Sequence, residues 1–185
     1  MPKLYFKYGA MGSSKTAQAL MTKFNYEETG YRVGLMKPAV DDRDGVNIIK
    51  SRIGLQDVGI IIPHSMNLYE WFQTQDFDVL IIDEAQFLST EQIEQLKQIS
   101  FEFVPVLCFG LKTDFTTHMF EGSKRLFEIA DSLTEIKSIC KCGRKAEVNA
   151  RLNNGKIVKQ GEQIFMGGSE SYIGLCYDCW KKEKL

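Results

Sequence analysis

Eight residues near the N-terminus, Gly9-Ala10-Met11-Gly12-Ser13-Ser14-Lys15-Thr16, constrain this chain more than any other stretch. They follow a short aromatic-rich run, Leu4 to Tyr8, that reads as a strand. They precede residues 16–28, which suit a helix with Ala17, Leu20, Met21 and Phe24 as its apolar stripe and Gly30 as its stop. The eight fit G-x-x-x-x-G-K-[ST] everywhere except at Ser14, where the pattern has glycine. Successive backbone N–H groups running into a helix N-terminus make a concavity suited to phosphate. In that setting Gly9, Ala10, Met11, Gly12, Ser13 and Ser14 cradle the phosphates, Lys15 reaches the β/γ-phosphates, and the Thr16 hydroxyl ligates Mg²⁺. Serine at position 14 restricts a backbone that glycine leaves free, so the loop is expected to work with altered nucleotide affinity.

Downstream, strand-like and helix-like stretches alternate as far as residue 131. Arg32 to Met36 reads as a second strand, and the polar stretch 41–54 as a mobile loop. Val58 to Ile62 is a continuous apolar run suited to a strand buried on both faces. Residues 67–75 suit a helix. Val79 to Ile82 is another buried strand, and Ser89 with Gln92 forms a capping box for a helix through Ile99. Residues 104–109 then read as a strand and 120–130 as a helix. Such alternation implies an α/β fold, a mostly parallel sheet with helices on both faces. Asp83-Glu84 follows the strand Val79 to Ile82 directly, at the carboxyl end where ligands bind in open α/β sheets. Asp83 is the expected Mg²⁺ carboxylate and Glu84 the expected general base.

Beyond residue 131 the texture changes to short β-like pieces, with no convincing helix. Two close cysteine pairs, Cys140 with Cys142 and Cys176 with Cys179, match the tetrahedral thiolate set of a structural Zn²⁺. The fifth cysteine, Cys108, lies in an apolar run and reads as a small buried hydrophobe. Residues 1–131 are thus expected as an ATP-binding α/β domain and 132–185 as a small zinc-binding β appendage. A loop tied at its base by zinc, through Gln163 and Tyr172, suits a lid over a substrate.

The chain has 23 Lys and Arg against 24 Asp and Glu, a net charge of −1. A dedicated nucleic-acid binder usually carries a basic excess, which weighs against a helicase-like ATPase with a zinc-ribbon DNA module. No apolar run approaches the ~20 residues a bilayer span needs, and the N-terminus lacks signal-peptide architecture. A cytoplasmic location is expected, where the cysteines stay reduced.

Taken together, these motifs resemble the type II (cellular and bacterial) thymidine kinases, a P-loop, RecA-like family with a zinc-bound lasso loop. The residues carrying the resemblance are Gly9 to Thr16, Lys37-Pro38 with Asp41 and Arg43, and Asp83-Glu84-Ala85-Gln86-Phe87. Phe109 to Phe115, Cys140 to Ala146, and Gly167-Gly168 through Tyr172 to Cys179 complete the set. The resemblance implies transfer of the ATP γ-phosphate to the 5′-hydroxyl of thymidine, with deoxyuridine as an alternative acceptor and Glu84 accepting the proton. It puts Arg43 and Gln86 near the transferred phosphate or the nucleoside, Gln86 being grouped with the ATP–Mg²⁺ residues. It shapes the thymine pocket from Met11, Phe87, Phe115 and Tyr172, with main-chain groups of Gln163, Ile164 and Phe165 on the base edge. It also implies a homotetramer without nucleic-acid or membrane partners, and leaves room for dTTP as a feedback inhibitor.

Overall fold

A computed structural model describes residues 3–41, 45–164 and 172–185. Six strands build the main sheet: β1 (Leu4–Tyr8), β2 (Val33–Pro38), β5 (Ile60–Ile62), β6 (Val79–Ile82), β7 (Val106–Gly110) and β8 (Ser132–Glu135). Their order is β5-β2-β6-β7-β1-β8, and every neighbouring pair is parallel. The sixth strand, β8, lies beyond residue 131 in sequence yet pairs with β1.

The side-chain period of two sorts each strand between two cores. Val33, Leu35, Val79, Ile81, Leu107 and Phe109 face α1 (Lys15–Glu28). Leu4, Phe6, Met36, Leu80, Ile82, Val106 and Cys108 face the opposite layer. That layer contains α2 (Leu68–Phe72), α3 (Thr90–Glu102) and α4 (Glu121–Ile129). Fully burying one such aliphatic side chain is worth about 1.5–3 kcal/mol, so a double-faced strand of three or four residues holds its register firmly. Cys108 is fully buried, as expected of a small hydrophobe, and burial pushes its thiol pKa far up.

Local chemistry sets the helix ends. Ser89 Oγ accepts from Gln92 N at 3.2 Å while Ser89 N donates to Gln92 Oε1 at 3.3 Å, completing the expected capping box. Gly30 stops α1 at φ +86°. The buried residues of α1 differ from the expected stripe: Ala17, Ala19 and Leu20 are buried, whereas Met21 and Phe24 are 47% and 60% exposed. Small alanines face the sheet because the helix must lie close behind the phosphate loop.

Two further expectations are corrected. The stretch 41–54, read as a loop, contains β3 (Ile48–Lys50), which pairs antiparallel with β4 (Gln56–Val58). The apolar run from Val58 to Ile62 is not one buried strand; it breaks at Gly59 into β4 and β5, and Val58 is 61% exposed. A Cβ at position 59 would sit 2.4 Å from Ile49 Cδ1, so the hairpin folds across the glycine there.

The remaining pieces form a second, smaller structure. Strands β9 (Ser138–Ile139) and β10 (Lys145–Ala146) pair antiparallel, and β11 (Val148–Asn153) lies between β12 (Lys156–Val158) and β13 (Tyr172–Leu175). A short helix, α5 (Tyr177–Lys181), follows with Cys176 as its N-cap, where the sequence offered no convincing helix. This unit has its own apolar cluster of Val148, Ala150, Leu175 and Trp180 around the cysteines, and Ala10 of the phosphate loop belongs to it.

Candidate active site

Three neighbouring strands, β6, β7 and β1, end at the same edge of the sheet. Their continuations are Asp83-Glu84, Leu111 to Phe115, and the phosphate loop. Parallel strands place all their carboxyl ends on one side, so chemistry-bearing residues far apart in sequence meet there.

In the phosphate loop, Gly12 and Ser14 both adopt left-handed backbone, at φ +78° and +63°. Ser14 forms the N-cap of α1 without a side-chain hydrogen bond to the helix. The Lys15 ammonium donates to Ala10 O at 2.8 Å and Ser13 Oγ at 3.2 Å. Thr16 Oγ1 donates to Asp83 Oδ2 at 2.8 Å, which joins the two halves of the expected Mg²⁺ site. Burial, then the neighbouring Glu84 carboxylate, push the Asp83 carboxyl up to about 7 despite that hydrogen bond. A carboxylate so placed gains from a cation beside it.

Glu84 has a left-handed backbone at φ +52° and ψ +36°, uncommon for a residue with a side chain. It is held by a one-turn 3₁₀ helix, Ala85–Phe87, in which Gln86 is 1% exposed. Gln86 Oε1 accepts from Leu111 N at 3.1 Å, which fixes its amide so that Nε2 donates to Glu84 Oε2. The Gln86 amide thus bridges Leu111 and one oxygen of the Glu84 carboxylate.

Two cavities meet at Glu84. The larger, about 530 Å³, is lined by Gly12, Ser14, Lys15 and Thr16 on one side and by residues 50–54 on the other. The smaller is lined by Met11, Phe87, Phe115, Gln163, Ile164 and Tyr172, every described residue expected in the thymine pocket. Gln86, Asp114, Phe120 and Asn149 also line it. Met11, Glu84 and Leu111 border both cavities. Arg43 and Phe165 lie outside the described residues.

Sequence reasoning missed several residues here. Lys50 and Arg52 reach the larger cleft from the hairpin that was read as a loop. Asn149 is buried, accepting from Met11 N at 2.7 Å and donating to Thr113 O at 2.7 Å. Asp114 accepts from Gln163 Nε2 at 2.9 Å. Arg151 donates to Tyr172 Oη at 2.9 Å and to Gln163 O at 3.2 Å. Asn149 and Arg151 alternate with Val148 and Ala150, a pattern that normally marks a solvated strand face; here that face is turned toward the site.

The four cysteine sulfurs lie within 4.8 Å of one another, with Cys142 and Cys176 Sγ 3.6 Å apart. A disulfide would need about 2.05 Å, whereas a tetrahedron with Zn–S bonds of ~2.3 Å has edges of about 3.8 Å. Burial opposes ionisation of Cys140, but hydrogen bonds from the backbone N–H groups and side chains of Cys142 and Cys176 together outweigh it and bring this thiol down to about 7. Contacts with Cys142 and Cys176, together with burial, push Cys179 up to about 12. Sulfurs this close ionise together only around a cation, so the quartet fits zinc. Strand β13, which leads into Cys176, packs close against the loop, since a Cβ at Gly174 would sit 2.6 Å from Met11 O.

The family model described as "Thymidine kinase" matches residues 2–180. The chain belongs to the thymidine kinase family. It is 45% identical to the thymidine kinase of Enterobacteria phage T4, covering 98% of this chain and 97% of that protein. Identity to the thymidine kinase of Lactobacillus acidophilus is 43%, covering 95% and 94% of the two chains. The thymidine kinase of Vibrio vulnificus is 40% identical over 98% of both. Membership in this family accords with the pairing of a phosphate-loop cleft and an aromatic pocket. No helix among the described residues is long and apolar enough to cross a membrane.

Proposed function

We propose that this protein transfers the γ-phosphate of ATP to the 5′-hydroxyl of thymidine, giving dTMP. The observation that carries the reading is Glu84, the carboxylate bordering both the phosphate-loop cleft and the aromatic pocket. A general base must reach the acceptor hydroxyl on one side while the phosphate arrives from the other. ATP occupies the larger cleft, where the loop amides and Lys15 balance the triphosphate charge. Thr16 and Asp83 hold the accompanying Mg²⁺, which neutralises charge on the transferring group. Thymine lies among Met11, Phe87, Phe115 and Tyr172, with the main chain at Gln163, Ile164 and Phe165 on its edge and Arg43 near the transferred phosphate. Gln86 serves both halves through Glu84.

In this reading the division at residue 131 is one of labour: the earlier residues serve ATP, and 132–185 hold zinc and the nucleoside loop, although β8 packs in the main sheet. Zinc at Cys140, Cys142, Cys176 and Cys179 is structural, because four protein ligands leave no open position. A homotetrameric, cytoplasmic enzyme with dTTP as feedback inhibitor follows from the family resemblance.

The test is ATP-dependent phosphorylation of thymidine by zinc-replete protein, with deoxycytidine and uridine alongside. Thymidine-selective product is expected. Glu84→Gln should lower kcat by about 10²–10⁴ while ATP still binds; unchanged turnover in that variant removes Glu84 from the mechanism.

A further inference from the structure

Arg151 does not line the aromatic pocket, yet among the described residues it touches three that do. Its guanidinium carbon lies 3.6 Å from the centroid of the Phe115 ring and 5.5 Å from that of Tyr172. Nε donates to the Tyr172 hydroxyl at 2.9 Å and Nη2 to the Gln163 carbonyl at 3.2 Å. The side chain belongs to β11 and is buried behind the pocket. Gln163 is also held from its other end, where Nε2 donates to Asp114 Oδ2 at 2.9 Å. Asp114 is itself fixed, its Oδ1 accepting from Thr116 N at 2.8 Å and His118 N at 3.1 Å.

A buried guanidinium is costly unless its fork of donors is used. Here the fork joins the chain at position 163 to the chain at position 172, and its flat face lies on an aromatic wall of the same pocket. From this geometry we propose that Arg151 is the positioning residue of the nucleoside pocket. It sets the separation and orientation of Phe115, Gln163 and Tyr172 without contacting the nucleoside. Lysine cannot replace it, because an ammonium lacks both the planar stack and the divergent N–H pair. The nature of the ligand rests on the function proposed above; the arrangement around Arg151 does not.

The experiment compares Arg151→Ala and Arg151→Lys with the parent full chain. Three readouts are taken: KM for thymidine and for ATP, bound zinc with melting temperature, and ligand-free amide exchange over residues 161–164 and 172–175. Misplacing pocket walls by about 1 Å costs on the order of 10²-fold, so both variants should raise the thymidine KM by about tenfold or more. The ATP KM should stay within about twofold, zinc should be retained, and exchange over 161–164 should quicken several-fold. An unchanged thymidine KM overturns the proposal. So does full rescue by lysine, which would reduce the role to charge, or a parallel rise of both KM values with zinc loss, which would make it structural. If the parent chain does not phosphorylate thymidine, the proposed function fails, while the exchange measurement still decides whether Arg151 holds residues 161–164.

Discussion

Ser14 sits at φ +63° and ψ +25° where the loop pattern has glycine. A left-handed backbone costs a residue with a Cβ about 1–2 kcal/mol, and glycine loses about 0.5–1 kcal/mol of chain entropy on being ordered. The second offsets about half of the first, so serine carries a net cost of about 1 kcal/mol or less here. Ser14→Gly should therefore leave unfolding free energy within about 1 kcal/mol of the parent. Ser14→Val, with a β-branched side chain in the same conformation, should lose about 2 kcal/mol or more. Urea unfolding of both variants checks the pair. The same backbone region recurs at Glu84, at φ +52°. Nothing in the local sequence Ile82-Asp83-Glu84-Ala85 announces it.

At the scale of elements, the turn at Ala85–Phe87 that follows Glu84 is packed closely by α4. A Cβ at Gly122 would sit 2.7 Å from Ala85 O, 2.7 Å from Leu88 O and 3.0 Å from Gln86 O. Gly122→Ala must push α4 away from the turn that orients Glu84. A loss of about 1–3 kcal/mol in stability is expected, with kcat falling more than KM for ATP in steady-state kinetics. At the opposite edge of the sheet, Arg32 and Asp78 clamp the starts of β2 and β6. Arg32 Nε and backbone N both reach Asp78 Oδ2, at 2.9 and 2.8 Å. The Arg32 side chain, then its backbone N–H, lower the Asp78 carboxyl to about 2, from an ordinary value near 4. A depressed carboxylate stabilises the fold above its unfolded value and loses that contribution as pH falls through the folded one. Asp78→Asn should thus be less stable than the parent at neutral pH, with the gap closing between about pH 4 and pH 2. Denaturant midpoints measured across that range read it directly.

For the whole molecule, the two structural units are not independent. Ala10 packs in the cysteine cluster, Asn149 bonds Met11, and Gly174 lies against Met11 O. Structural zinc contributes on the order of 10 kcal/mol in small metal-folded units, whereas the six-stranded sheet has its own two cores. Zinc removal by a strong chelator should abolish thymidine-dependent turnover while most of the far-UV circular dichroism survives. ATP affinity should weaken without vanishing, because Lys15 and Thr16 begin α1 and Thr16 bonds Asp83, although Lys15 also bonds Ala10 of the cysteine cluster. Simultaneous collapse of the spectrum and of ATP binding would instead make the protein a single cooperative unit.

Sequence by itself determined the parallel α/β sheet, because strands buried on both faces and helices with one apolar face leave little alternative arrangement. It also singled out the loop at 9–16, the acidic pair and the cysteine quartet as candidates, because each is local in spacing, and the four cysteine sulfurs do come together. What it left open depended on contacts between distant segments. The hairpin at 48–58 needed Gly59 folded against Ile49, and α1 needed its close seat behind the loop before Met21 and Phe24 could be seen as exposed. Asn149 and Arg151 drew no attention in the sequence, since alternation alone says which residues share a face but not what that face meets. Tertiary structure turned the face inward, where Met11, Thr113, Gln163 and Tyr172 supply hydrogen-bonding partners to a buried amide and a buried guanidinium.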